Sequence, residues 1–533
     1  MRLLRTGLGI ALIAMGLSAA TAQAQSGPRV RIGSGEIEGI AGAEGQQMFL
    51  GIPYAAPPVR DLRWRDPQPV APWRGVLHAD RFGPQCMQPQ RSILNNSYSG
   101  AEVTSEDCLY LNVWTKPGLK KAPVIVYIHG GAFFIGSSSM PLYAGDAVAR
   151  EGAVFVNFNY RLGALGLMAH PELSRESPHH SSGNYAFLDQ IAALTWVKRN
   201  IARFGGDPDN VTIAGQSAGS MSVNLLQASP LARGLFQRAV GMSGSLIEGP
   251  SEPMTLADAE EQGTKLQTLL RARSLADLRA LPADRILVPR SADAPRIGPT
   301  VDGYVLPQPI ERIFAAGKQA DIPLMLGFTR DESFGGLGPV TGLADYRAKA
   351  DAKFGPRAGE FLSLYPAATD AQARAQAQLA DRDGTMAIGM DAWASADAQH
   401  GRSKIYGYEF ARRPPFAPGV IIDGMDVTTA GAYHTSEVPF WFGTLDSFNL
   451  YRRTREWSVA DRAMSRTMTK ALVAFARTGD PQTAEIQWPA YDPARREVVQ
   501  FGDAVRIDRW PSIERLAFFR SIAATAPKGP TRK

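Results

Sequence analysis

The sequence predicts an α/β protein built on a large, mixed but mostly parallel central sheet flanked by helices. The wholly apolar run 124–128 reads as a strand covered on both faces, and residues 153–159 read as a further buried strand. Residues 184–204 read as a long helix, because Phe187, Ile191, Leu194, Val197 and Ile201 recur at spacings of three and four and Gly205-Gly206 follows. Residues 210–214 read as a further short strand, and residues 220–226 as the start of a buried helix. Strand, helix, strand, helix is the rhythm of a parallel sheet with covering helices.

The chain of 533 residues opens on Met1-Arg2-Leu3-Leu4-Arg5, an apolar run over 7–20 and Ala22-Gln23-Ala24. A basic start, a short apolar middle and small residues at this spacing describe a secretory leader cut before Gln25. The apolar run is short for a membrane anchor. The expected organisation is a leader over 1–24 and a single domain over 25–533, periplasmic or secreted, with no membrane association once the leader is gone. Removing the leader takes away two arginines and lowers the formal charge from +6 to +4. No basic arm or patch points to nucleic acid. No low-complexity linker or repeat divides the chain, and its end carries no expected anchor. The two cysteines, Cys86 and Cys108, are most simply a disulfide in an exported chain, with free or metal-binding thiols as the alternative.

Taken in order, residues 30–32 and 36–40 look like a hairpin and 48–54 like another extended piece. Residues 109–114 alternate as a strand. The buried run 124–128 ends in His129-Gly130-Gly131-Ala132-Phe133, where small residues let backbone N–H groups converge on one spot, as an oxyanion hole requires. Downstream, Gly215-Gln216-Ser217-Ala218-Gly219 puts a serine on a tight strand-to-helix turn with glycine two residues to either side. That is the form of a nucleophile elbow. Gly131 and Ala132 are then the expected oxyanion donors together with Ala218, and His129 is structural.

These pieces resemble the type-B carboxylesterase family of α/β-hydrolases, which includes carboxylesterases, cholinesterases and bacterial esterases. The resemblance rests on Phe49-Leu50-Gly51-Ile52-Pro53-Tyr54-Ala55, Ser105-Glu106-Asp107-Cys108-Leu109-Tyr110-Leu111-Asn112, the His129 to Phe133 run, Asn159-Tyr160-Arg161, Asp189-Gln190 and the Gly215 to Gly219 motif. It implies an α/β-hydrolase fold with helical cap insertions, the Cys86 to Cys108 disulfide, and a buried ion pair between Arg63 and Glu106.

In such proteins the partners follow the serine in the order acid, histidine, which leaves His400 and His434. His400 ends an alanine-rich helical stretch before Gly401, an ordinary place for a cation. His434 lies in a loop after the strand 405–408 and matches the family's histidine ahead of Glu437 and Phe442-Gly443, so it is the expected base. The strand 322–327 leads to Asp331-Glu332. Spacing does not separate these two carboxylates; the resemblance selects Glu332, leaving Asp331 to hold the loop. Ser243 resembles a serine that the family keeps near these groups, with a simple turn serine as the alternative.

The resemblance implies a serine esterase: Ser217 attacks the ester carbonyl, His434 takes its proton, Glu332 orients the imidazole, and Gly131, Ala132 and Ala218 receive the oxyanion. The expected partner is a small-molecule ester, and no cofactor or metal is required; the oligomeric state is not readable. Residues 250–296 and 335–381 are expected to build a cap over the pocket. Between the cysteines Tyr98 is the only aromatic residue, so choline esters, which need an aromatic face for the ammonium, are disfavoured. Two other readings remain: an adhesion module that keeps the fold without turnover, and an amidase using the same residues.

Overall fold

The computed structural model describes residues 27–90, 102–249, 252–288, 291 and 293–525; the expected leader and Tyr98 lie outside the described residues. Eleven strands form one sheet: β1 (Ile40–Ala41), β2 (Gln47–Pro53), β3 (Tyr110–Thr115), β4 (Ala122–Ile128), β5 (Val154–Phe158), β6 (Gly206–Gln216), β7 (Arg238–Met242), β8 (Leu324–Thr329), β9 (Ile405–Phe410), β10 (Glu497–Phe501) and β11 (Val505–Arg509). Their spatial order is β11-β10-β9-β8-β7-β6-β4-β5-β3-β2-β1. All neighbours from β5 through β10 run parallel. The outer pairs are antiparallel. The strands expected over 29–40 pair as a separate antiparallel hairpin, Arg29–Ile32 with Gly35–Glu38.

Alternation along β4 splits the core into two. Val124, Val126 and Ile128 face one apolar cluster and Ile125 and Tyr127 the other. Helices α1 (Tyr185–Asn200), α2 (Ala218–Ala228), α4 (Ile388–His400) and α5 (Val459–Thr478) pack about this sheet, whereas α3 (Asp370–Arg382) packs in a separate apolar cluster with the helix Leu343–Phe354. Phe187 and Leu194 of α1, Val223 and Leu226 of α2 and Trp393 of α4 enter the first cluster; Met468, Leu472 and Phe475 of α5 enter the second. The helix expected over 184–204 is shorter at its end, because Ile201–Phe204 tightens into a 3₁₀ turn and Gly205 takes a left-handed conformation, φ 85°. The strand expected over 210–214 is longer, reaching from Gly206 to the residue before the serine.

Helices Leu256–Leu269 and Leu275–Ala280 lie in the first expected cap region, and Leu343–Phe354, Ala358–Leu364 and α3 in the second. Cys86 and Cys108 are joined as a disulfide. Beside it Arg63 Nε and Nη2 each lie 2.6 Å from the Glu106 carboxylate. Its third nitrogen donates to the carbonyls of Leu278, Arg279 and Leu281 at 3.2, 3.0 and 2.7 Å. No helix among the described residues is long and apolar enough to cross a membrane.

Candidate active site

Ser217 stands between β6 and α2 with φ 58° and ψ −124°, a backbone state that L-residues adopt only under constraint. The constraint is visible in its surroundings. Its N–H donates to the Met242 carbonyl of β7 at 2.8 Å. A Cβ on Gly215 would fall 2.2 Å from the Gly219 carbonyl oxygen, and one on Gly219 would fall 2.0 Å from that of Ile128. The two flanking glycines are therefore what lets helix and strand meet at this angle.

The loop after β4 comes to the same place. A Cβ on Gly130 would sit 3.1 Å from the Ser217 Cβ, so this backbone is in contact with the serine. The next three residues all have positive φ: 114° at Gly131, 54° at Ala132 and 64° at Phe133. Ala218 is the first residue of α2, where N–H groups have no acceptor inside the helix. His129 is buried and stacks on Tyr160 with ring centroids 4.4 Å apart. Burial pushes its pKa down to about 4, so it is neutral at physiological pH.

On the far side, β8 delivers the acidic pair. Glu332 is fully buried and its Oε2 lies 2.6 Å from Nδ1 of His434, while its Oε1 has no partner among the described residues. Asp331 faces elsewhere: Oδ2 accepts from the Ala432 N–H at 2.7 Å and its own N–H donates to the Ala432 carbonyl at 3.0 Å. His434 is 21 % exposed. Its other nitrogen, Nε2, turns to the elbow, where the Gln216 side-chain amide lies 3.2 Å away. With the Nδ1 proton on the Glu332 side, Nε2 is an acceptor. His400 ends α4 and Gly317 packs against its Cβ.

Three features of this neighbourhood were not anticipated from the sequence. Phe334 lies edge-on to the His434 ring, centroids 4.9 Å apart. Gln216 contacts the imidazole. Glu437 is completely buried, with neither carboxylate oxygen partnered among the described residues. Burial, and after it the charge of Glu332, raises the Glu437 pKa well above the usual carboxylate range. Ser243 is also buried, its hydroxyl without a partner among the described residues.

Two cavities flank the site. One, about 460 Å³, is lined by Gly131, Ala132, Phe134, Ile135 and Leu266 with Arg296 at its edge. The other, about 570 Å³, has Phe334 in its wall, with Phe354, Phe361 and Phe519.

A strained serine between strand and helix, beside an ordered carboxylate–imidazole pair, sets what the comparisons with known proteins must explain. Residues 26–519 match the family described as "Carboxylesterase family". The chain belongs to the carboxylesterase family. A fumonisin B1 esterase of Sphingopyxis macrogoltabida is 37% identical to this carboxylesterase over 485 residues, 89% of this chain and 86% of the relative. A para-nitrobenzyl esterase of Bacillus subtilis (strain 168) is 35% identical over 505 residues, 90% and 96% of the two chains. The solved structure of a thermophilic PNB esterase overlays with a TM-score of 0.76 at 34% identity, covering 92% of this chain and 99% of that one. This carboxylesterase therefore has the α/β-hydrolase fold and is an ester hydrolase.

Proposed function

We propose that this carboxylesterase cleaves small-molecule carboxylic esters through an acyl-enzyme on Ser217, with His434 as base, Glu332 as its orienting acid, and the N–H groups of Gly131, Ala132 and Ala218 as the oxyanion hole. The observation that carries the assignment is the 2.6 Å contact between Glu332 and His434 Nδ1, which leaves Nε2 as the acceptor facing residue 216 next to the serine.

The Ser217 proton passes to His434 Nε2 as Oγ adds to the ester carbonyl, and the buried Glu332 stabilises the imidazolium that forms. The carbonyl oxygen becomes an oxyanion held by fixed backbone dipoles, which act strongly because they need no reorganisation. The alcohol then leaves with the proton from His434. Water, deprotonated by the same nitrogen, releases the acid and restores the serine. Every proton step uses the chain's own groups.

The same reading takes residues 1–24 as a leader removed on export to the periplasm or medium and 25–533 as one catalytic unit. The family match beginning at residue 26 and the Cys86 to Cys108 disulfide support it. Hydrolysis of p-nitrophenyl butyrate tests the chemistry: Ser217→Ala loses turnover on the order of 10⁶-fold, by analogy with subtilisin. A Ser217→Ala protein that keeps the parental rate removes the serine from the mechanism.

A further inference from the structure

The turn that carries Glu332 and Phe334 is hung on a helix from the second cap region. Gln378 Nε2 of α3 donates to the Asp331 carbonyl at 2.6 Å. One turn later Asp381 Oδ2 accepts from the Phe334 N–H at 2.6 Å, from the Gly335 N–H at 3.0 Å and from the Ser333 hydroxyl. Glu332 therefore sits between two points at which α3 grips the chain. Gly336 closes over the same carboxylate, where a Cβ would meet Asp381 Oδ1 at 2.7 Å. Three donors gathered on one carboxylate oxygen, two backbone N–H groups and one hydroxyl, form strong charge-assisted hydrogen bonds.

The carboxylate is itself fixed to the sheet. Asp381 is 5% exposed, and the next residue, Arg382, donates to Glu409 of β9 at 2.7 Å and to Asp383 at 2.8 Å. A single π-helical turn, Asp383–Ala387, follows, and Thr385 within it donates to the Asp381 carbonyl at 2.6 Å. The load path is thus continuous: sheet, Arg382, Asp381, the 333–335 backbone, Phe334, the His434 ring.

We propose that Asp381 is a positioning residue for hydrolysis, holding the turn after Glu332 so that Phe334 braces the imidazole of His434. The brace matters because His434 stands in a loop, where Glu332 and Gln216 hold its two nitrogens and Phe334 meets the ring itself. Phe334 is 46% exposed and forms a wall between the imidazole and the 570 Å³ cavity, so without the clamp its ring has open space to move into. An edge-to-face aromatic contact contributes on the order of 1 kcal/mol, enough to order a ring that packing alone leaves loose. Displacing a reacting group by about 1 Å can cost on the order of 10²-fold in rate. The inference rests on Ser217 and His434 carrying the reaction, and it adds a residue that touches neither substrate nor base.

The test is a double-mutant cycle on p-nitrophenyl butyrate hydrolysis, with turnover counted per serine titrated in the acylation burst. Asp381→Asn keeps the volume and removes the charge; kcat falls about tenfold while KM stays within about threefold. In a Phe334→Ala background the same change costs less than about twofold, since the brace is already gone. Parental kcat in Asp381→Asn, or a loss that multiplies in full with that of Phe334→Ala, overturns the proposal. A purely structural Asp381 would lower yield or Tm and leave turnover per titrated serine unchanged, which also overturns it. Should the Asn variant not fold, Ser333→Ala removes one donor from the same oxygen: a kcat drop of about two- to threefold supports the clamp and an unchanged kcat sinks it. Ser217→Ala and His434→Ala run alongside. If either retains the parental rate, the catalytic assignment falls and the clamp with it; if both are dead and Asp381→Asn is parental, only the clamp falls.

Discussion

The side-chain amide of Gln216 lies 3.2 Å from Nε2 of His434, on the nitrogen opposite the one that meets Glu332. The amide is neutral, so it adds no charge to the imidazole from that side.

Gln216→Glu should therefore move the acid limb of kcat/KM to higher pH by about one unit, because a carboxylate against Nε2 favours the cation. The pH profile of ester hydrolysis measures it. Superimposable profiles for the two proteins would show that residue 216 does not face the base. A parental profile flat from about pH 8 to 5, the range where an imidazole takes up a proton, would remove His434 itself from the mechanism.

Two adjacent carboxylates follow β8 and have different contacts, Glu332 with His434 and Asp331 with Ala432, and the proposed mechanism gives them different work. Glu332→Gln keeps the shape and removes the charge behind the imidazole, so turnover falls on the order of 10⁴-fold, as for the equivalent change in serine proteases. Asp331→Asn loosens the contact with Ala432 and costs less than about tenfold. The opposite ranking in steady-state kinetics would transfer the acid role to Asp331.

Glu437 is a buried acid beside a buried carboxylate, and burial raises its pKa well above the usual carboxylate range. Its pKa is raised on folding, so its favourable contribution is complete below the unfolded value of about 4.3 and fades as pH rises above it. Glu437→Gln replaces the neutral acid by a neutral amide of the same shape. Its stability advantage over the parent should be near zero at about pH 4 and grow by up to about 1.4 kcal/mol per pH unit above that. Urea unfolding of both proteins at several pH values gives the difference; a constant offset would mean that Glu437 is ionised in the fold.

The Cys86 to Cys108 bridge and the Arg63 to Glu106 pair fasten the same segment. Reduction should cost about 3 kcal/mol on the chain-entropy account. Arg63→Met strands the half-buried Glu106 and the three carbonyls that Arg63 serves, and costs about 3–5 kcal/mol. Thermal unfolding with and without reductant reads the first and chemical unfolding the second. Two alkylatable thiols in the native protein would refute the bridge.

Local chemistry made much of this chain readable in advance. The apolar run at 124–128, the buried strand at 153–159, the helical spacing from Phe187 to Ile201 and the glycines on either side of Ser217 are each set within a few residues, because backbone sterics and periodicity act over that range. The sequence reading nevertheless passed over α5, although Ser458 and Asp461 form its capping box, and it had no means of foreseeing that Ile201–Phe204 would leave the α-helix as a 3₁₀ turn.

The site divides along the same line. The serine, the small residues after β4 and the shortlist of histidines came from local pattern, and the family resemblance then chose Glu332 over Asp331. Only the folded chain placed Glu332 2.6 Å from an imidazole 102 residues away, buried Glu437 behind it, and set Phe334 and Gln216 on two sides of the ring. Those relations depend on which side chains share a volume once the sheet has closed, and on the lost hydration that raises the Glu437 pKa beside the Glu332 carboxylate. Neither shared volume nor hydration is a property of any short stretch of sequence, so the sequence by itself determined the candidate groups and the tertiary structure alone decided how they stand to one another.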